Sequence, residues 1–186
     1  MRHIQPITVT AMTIFALLTF FVIATLVYAS TRPNSFRIQR STLIQAPPEK
    51  IFPMINDFHQ WQAWSPWENI DPTMQRTYSG TNQGVGTIYA WQGTGKVGAG
   101  RMEITNAHPD LEIIIQLDFL KPFEAHNTAE FTLTPQGQNT ELTWVMHGPS
   151  PYISKLMGVF FNMDRMIGKD FEKGLNNLKL IIEQSA

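Results

Sequence analysis

The sequence contains no cysteine, which excludes disulfides, thiolate metal sites and a cysteine nucleophile. Charge is scarce: only 16% of residues are Asp, Glu, Lys or Arg, and 14 basic against 15 acidic side chains leave a net charge of −1. With no basic stripe, the electrostatic footprint of a nucleic-acid binder is missing. Low-complexity runs and an acidic tail are also absent. The histidines (His3, His59, His108, His126 and His147) show no i, i+4 pairing, and no carboxylate completes a standard zinc spacing. No metal and no cofactor are therefore expected. What is present is a chain of 186 residues, enough for one ordinary domain plus an extra segment.

That extra segment is an uncharged run over residues 7–29, following an N-terminal tail of residues 1–6. As a helix it reaches roughly 35 Å, enough to cross a bilayer core. Its threonines can bond back to helix carbonyls. It shows no amphipathic face, which argues against a buried core helix. Val27-Tyr28-Ala29 before Ser30 resembles a signal-peptide cleavage site. The run is longer than the roughly 7–15 apolar residues of a signal core, which favours a retained single-pass anchor over a cleaved leader. Orientation stays open. Arg32, Arg37 and Arg40 against Arg2 place the domain in the cytoplasm by count, whereas the signal-like start favours the opposite side.

Residues 30–35 form a polar linker to a domain spanning 36–186. Residues 36–44 alternate as a strand. Ala46-Pro47-Pro48-Glu49 opens a helix whose apolar face is Ile51, Phe52, Met54 and Ile55, with Pro53 making it short or bent. A second short helix is predicted over 58–64, ended by Ser65-Pro66. The period then becomes two, with strands predicted at 75–80, 84–92, 100–108, 111–119, 125–134 and 140–147. Short turn-like links between them imply an antiparallel meander. Ile113, Ile115 and Leu117, then Ala129, Phe131 and Leu133, then Leu142, Trp144 and Met146 mark one apolar face. One long helix is predicted from about 151 to 183, its buried stripe running through Ile153, Leu156, Met157, Phe160, Phe161, Ile167, Phe171, Leu175, Leu178 and Ile182. Gly168 and Gly174 inside it suggest close approach to the sheet. The predicted class is α+β: a curved sheet of about seven strands in the order β-α-α-β6-α, gripping one long C-terminal helix, with a cavity between them.

Several residues are candidates for that cavity. Trp61, Trp64 and Trp67 suit either a pocket mouth or a plug of the helix–sheet edge, with packing slightly favoured. Tyr89 and Trp91 share a strand face and suit wall or core equally. Phe131 and Trp144 on the inner strands and Phe160 on the helix stripe extend the ligand-binding set. Asp164 falls on that stripe and needs a partner, for which Arg101 or Arg165 is available. It reads as an ion pair at the stripe's edge or as a polar anchor in the pocket, and it is the one weak candidate for a catalytic acid or base. Arg101 and Glu103 share a strand face and could form a network with Arg76, or a solvated face. Residues 93–98 match G-x-G-x-x-G literally, but a strand rather than a helix follows, so no helix N-terminus receives a pyrophosphate. A glycine-rich hairpin is the better reading.

Taken with this element order, four segments resemble a known group: 44–52 (IQAPPEKIF), 61–67 (WQAWSPW), 78–80 with 84–87 (YSG, GVGT) and 168–175 (GKDFEKGL). The chain from Phe36 onward resembles the START-like, helix-grip (SRPBCC) superfamily, and within it the bacterial polyketide cyclase/dehydrase and lipid-transport group. Pro53 departs from the ordinary helix former of many relatives. The resemblance implies a helix-grip fold with an internal pocket for an apolar ligand, and brings no catalytic motif. The leading expectation is a membrane-anchored binder or carrier of a lipid or other apolar small molecule. The alternatives are a cyclase, dehydratase or hydrolase acting on an apolar substrate, and a membrane-bound regulatory or chaperone-like module, which a broad exposed apolar patch would favour.

Overall fold

A computed structural model describes residues 6–95 and 97–185; the tail residues 1–5, His3 among them, and Lys96 of the glycine-rich segment lie outside the described residues. The element order is α1 (Pro6–Ser30), β1 (Ser35–Ile44), α2 (Pro48–Asn56), α3 (Trp61–Trp64), β2 (Gln75–Gly80), β3 (Thr87–Gln92), β4 (Ala99–His108), β5 (Glu112–Lys121), β6 (Ala125–Gln136), β7 (Asn139–Pro149), α4 (Tyr152–Phe160) and α5 (Met163–Gln184). The chain divides into two compact units. One runs to Ser35 and takes in Ser150–Met163; the other comprises Phe36–Pro149 and the chain from Asp164 onward.

In the first unit, α1 is long and apolar enough over Thr10–Ser30 to cross a membrane. Two of its threonines are absorbed locally: Thr19 and Thr25 donate to the carbonyls of Phe15 and Phe21 at 2.9 and 2.8 Å. The short helix α4 packs against α1. Tyr152 Oη donates to the Leu26 carbonyl at 2.9 Å, and Lys155 Nζ to Asn34 Oδ1.

The second unit is a curved seven-stranded antiparallel sheet, ordered β1-β7-β6-β5-β4-β3-β2, with α5 across its inner face. The meander follows from links too short for crossovers. Its register sets Tyr89 opposite Met102, Met102 opposite Leu117, Ala129 opposite Met146 and Phe131 opposite Trp144. The β4–β5 pairing shifts register at Ala99/Gly100 and Ile104/Asn106, where irregularities bend strands and raise their twist. On α5, Gly168, Phe171, Gly174, Leu175, Leu178 and Ile182 form the buried stripe. Phe171 stacks on Trp144 at 4.2 Å and 3°. Above Gly168 lies the Arg40 guanidinium, which reaches Glu172 (2.7 Å) and Asp164 (3.1 Å).

The single long helix expected over 151–183 is two helices. Phe161 leaves the helical region (φ −124°, ψ 129°), and α4 has no buried residue. Asn162 stands where a new helix would be capped and Asp164 lies in its first turn, both favouring a fresh start. The segment 58–64 is likewise a 3-10 turn, Phe58–Gln60, followed by the single turn of α3; the Asp57 carboxylate accepts from His59 N.

Candidate functional site

The inner face of the sheet and α5 enclose a cavity of about 290 Å³, lined wholly by residues of the second unit. Strand alternation supplies most of its wall: Tyr89 and Trp91 from β3, Met102 from β4, Leu117 and Phe119 from β5, Ala129 from β6, and Trp144 and Met146 from β7. Ile167, Asp170 and Phe171 of α5 close the helix side. Trp61, Ser65, Trp67, Glu68 and Met74 come from α3 and the loop after it. Small residues make the room. Gly100 lies beneath the Trp91 indole, where a Cβ would stand 2.3 Å from Cζ2. Trp91 is steadied there by donating from Nε1 to the Val97 carbonyl at 3.2 Å.

The three tryptophans after α2 divide their roles. Trp61 and Trp64 donate from Nε1 to the carbonyls of Ile55 and Met54, both at 3.0 Å. These acceptors lie in the last turn of α2, where carbonyls lack intrahelical donors, so the indoles cap that helix. Trp64 is fully buried in the core and is not on the cavity wall; Trp61 both caps and lines. Trp67 carries no such cap and stands edge-on to Trp144 (5.6 Å) and Phe171 (6.1 Å) at the wall. Phe131 is fully buried, 4.8 Å from Trp144 and absent from the lining.

One end of the cavity is polar. Glu68 is buried and accepts from Arg76 Nε at 2.6 Å and Tyr89 Oη at 2.7 Å; Arg76 Nη2 also reaches the Glu68 carbonyl at 2.6 Å. Burial, and then the hydrogen bond to Glu68, push the Tyr89 hydroxyl well above the ordinary phenol range. The bond to Glu68 likewise raises Arg76. A phenol raised in this way is not suited to exchange protons near neutral pH. Asp71 ties the same loop to the β3–β4 hairpin, accepting from Thr73 N and Oγ1 (2.8 and 2.7 Å) and Thr94 N and Oγ1 (2.8 and 3.0 Å). The Thr73 hydroxyl, then the Thr94 and Thr73 amides, hold its carboxyl far below the usual range. Two wall groups keep free capacity among the described residues. The Trp144 Nε1 atom is buried without a partner, and the Asp170 carboxylate is paired with nothing.

Besides Trp64 and Phe131, three further expected site residues lie off the cavity wall. Phe160 belongs to α4 in the other unit and is exposed, because the helix carrying the buried stripe begins only at Met163. Asp164 is 60% exposed and bound to Arg40, at the first turn of α5. Arg101 points to the outer face, since Met102 beside it points inward; it pairs there with Glu103 and lies 3.9 Å from Asp118. Arg101 and Glu103 share a face as expected, but Arg76 pairs with Glu68 instead. The enzymatic reading that leaned on Asp164 and Arg101 loses those residues. Sequence reasoning missed Glu68 and Asp170. For Asp170 the indication was present: it follows Ile167 by three positions and precedes Phe171 on the stripe. Residues 93–98 connect β3 to β4, with Gly93 N donating to the Gly98 carbonyl at 2.8 Å. Among the described residues, no three of His, Asp and Glu gather as a metal site.

The family model described as polyketide cyclase / dehydrase and lipid transport matches residues 35–183. Among solved structures, protein CV1439 from Chromobacterium violaceum is 16% identical, with a TM-score of 0.57 over 82% of this chain and 99% of that one. Protein Ms6760 from Mycobacterium smegmatis is 18% identical, with a TM-score of 0.57 over 81% and 92%. The di-domain ARO/CYC StfQ of the steffimycin biosynthetic pathway is 10% identical, with a TM-score of 0.64 over 81% of this chain and 51% of that one. At these identities the likeness is one of fold. No curated protein matches the sequence.

Proposed function

Because the chain belongs to the polyketide cyclase / dehydrase and lipid transport family, we propose that it is a membrane-anchored binding or carrier protein for a lipid or other apolar small molecule. The cavity carries this reading: about 290 Å³, walled by aromatic and thioether side chains, with polar groups confined to a few positions. Its volume is near the lower end of the roughly 300–1,000 Å³ of small-molecule sites, which fits a compact ring system or one segment of a longer chain. Retention of α1 as an anchor is supported by Tyr152 and Lys155, which bond to Leu26 and Asn34 and build the end of α1 into a unit with a later part of the chain. An anchored cavity meets bilayer-dissolved ligands at raised effective concentration.

The test is native mass spectrometry of the full chain in mild detergent, with extraction of what it carries. An apolar adduct is expected in the wild type and absent from Ala129→Trp, which fills the cavity, provided circular dichroism shows the sheet intact. Failure of any fatty acid or polycyclic aromatic probe to bind the wild type would overturn the proposal. The Asp170 carboxylate, unpaired on the wall, favours a second reading as an enzyme of the cyclase, dehydratase or hydrolase type. In that case Asp170→Asn abolishes turnover while binding of the probes persists.

A further inference from the structure

The helix α4 presents an apolar stripe that the described residues leave exposed. Ile153, Met157 and Phe160 stand at i, i+4 and i+7, within one narrow sector of the helix, and are 58%, 40% and 61% exposed. Between them Leu156 and Val159 are half-buried, and the helix packs against α1. A nine-residue helix with its apolar face outward is the reverse of the arrangement that stabilises a helix on a water-soluble domain. The position of α4 identifies what covers the stripe. Tyr152, its first residue, donates to the Leu26 carbonyl in the last turns of α1. At that same level Arg32 lies over the Tyr28 ring at 5.8 Å, and Lys155 reaches Asn34. Tyrosines with flanking basic side chains at the end of an uncharged helix mark the headgroup level of a bilayer. A short helix fixed there with Ile153, Met157 and Phe160 outward matches helices that lie in the interfacial plane.

We infer that α4 is an in-plane membrane helix whose Ile153–Met157–Phe160 stripe is immersed in the bilayer interface beside the end of α1. The inference rests on reading α1 as a membrane span. A second copy of the chain is the competing occupant of the stripe, but the basic and tyrosine residues at its edge are the companions of lipid headgroups.

The absence of native cysteine lets single sites be labelled without background. Nitroxide labels at Ile153→Cys, Met157→Cys and Phe160→Cys are compared with Phe15→Cys in α1 and Glu141→Cys on the sheet, in the full chain reconstituted in vesicles of neutral and anionic phospholipid. Collision with dissolved oxygen and with a water-soluble nickel chelate reports depth. The expected result is a Phe15 label reached by oxygen alone, a Glu141 label reached freely by nickel, and α4 labels several-fold more accessible to oxygen than the Glu141 label. If Phe15 is immersed but the α4 labels are as nickel-accessible as Glu141, the inference fails and the span stands. Spin–spin broadening at the α4 labels would assign the stripe to a second copy and overturn the inference. If the Phe15 label is itself reached by nickel, the span reading fails and takes the inference with it.

Discussion

Replacing Glu68 by glutamine removes the charge at the polar end of the cavity and leaves Arg76 without its counter-ion. The Glu68 side chain is 5% exposed and that of Arg76 22%. Breaking a buried ion pair by removing one partner costs roughly 3–5 kcal/mol, and breaking a surface pair about 0–1; partial hydration of Arg76 places this case between, at about 2–3 kcal/mol. The guanidinium keeps its bonds to the Met74 and Glu68 carbonyls at 3.0 and 2.6 Å, which holds the cost below the upper bound. At roughly 2–4 °C per kcal/mol for a domain of this size, the melting temperature falls by about 4–12 °C. Arg76→Met alone costs a similar amount, because it strands the carboxylate. The double variant carries neither charge and recovers to within about 1 kcal/mol of the wild type. The assay is thermal unfolding followed by near-ultraviolet circular dichroism at neutral pH, in one detergent and at one scan rate. If the double variant loses the sum of the single losses, the two groups are uncoupled and the reasoning is refuted.

Gly100→Ala puts a methyl 2.3 Å from Trp91 Cζ2 and 2.6 Å from the Asp118 carbonyl. It is expected to cost at least about 1–3 kcal/mol by overpacking and to shift tryptophan fluorescence as Trp91 leaves the wall. Gly168→Ala puts a methyl 1.9 Å from Arg40 Nη2. The guanidinium must swing away, and the loss of exposed pairs is offset by roughly 1 kcal/mol of helix propensity. Net stability is therefore nearly unchanged, while Arg40→Ala, measurable by denaturant unfolding in the wild type, becomes silent in the Gly168→Ala background. Asp71 is held ionised by Thr73 and Thr94, its pKa depressed in the folded state. A depressed carboxylate contributes stability above its unfolded pKa of about 3.9 and loses it as pH falls toward the folded value. The acid limb of stability against pH should accordingly be shallower in Asp71→Asn, measured by unfolding between pH 6 and pH 2.5 (roughly the window that straddles the unfolded value).

The sheet was legible in the sequence because one apolar face forces a strict period of two, and short turn-rich links permit only a meander. Each predicted strand is present, with ends shifted by a few residues. The break at Phe161 was not legible from periodicity, since Phe160 and Phe161 continue the apolar spacing across it; apolar character alone does not tell a core face from an exposed one. Asn162 was the local clue. Asp164 and Asp170 both lie along the α5 stripe, and which of them faces the cavity depends on where the sheet begins under the helix. Arg101 was decidable: Met102 and Ile104 claim the inner face, so a residue alternating with them points outward. Glu68 sits in an irregular loop without period. Its partners Arg76 and Tyr89 are joined to it only by the tertiary fold, and nothing local announces the triad.

The cavity wall carries Met74, Met102 and Met146. These unbranched thioethers change rotamer at little cost, so the surface they form reshapes around guests of different outline. Discrimination by contour should therefore be shallow, and discrimination by polarity, enforced at Glu68, Trp144 and Asp170, steep. The same sulfurs give the cavity a chemical vulnerability. In a chain without cysteine, methionine is the side chain most open to two-electron oxidation, and a single sulfoxide in this wall would make an apolar surface polar and expel an apolar guest until a reductase restores it.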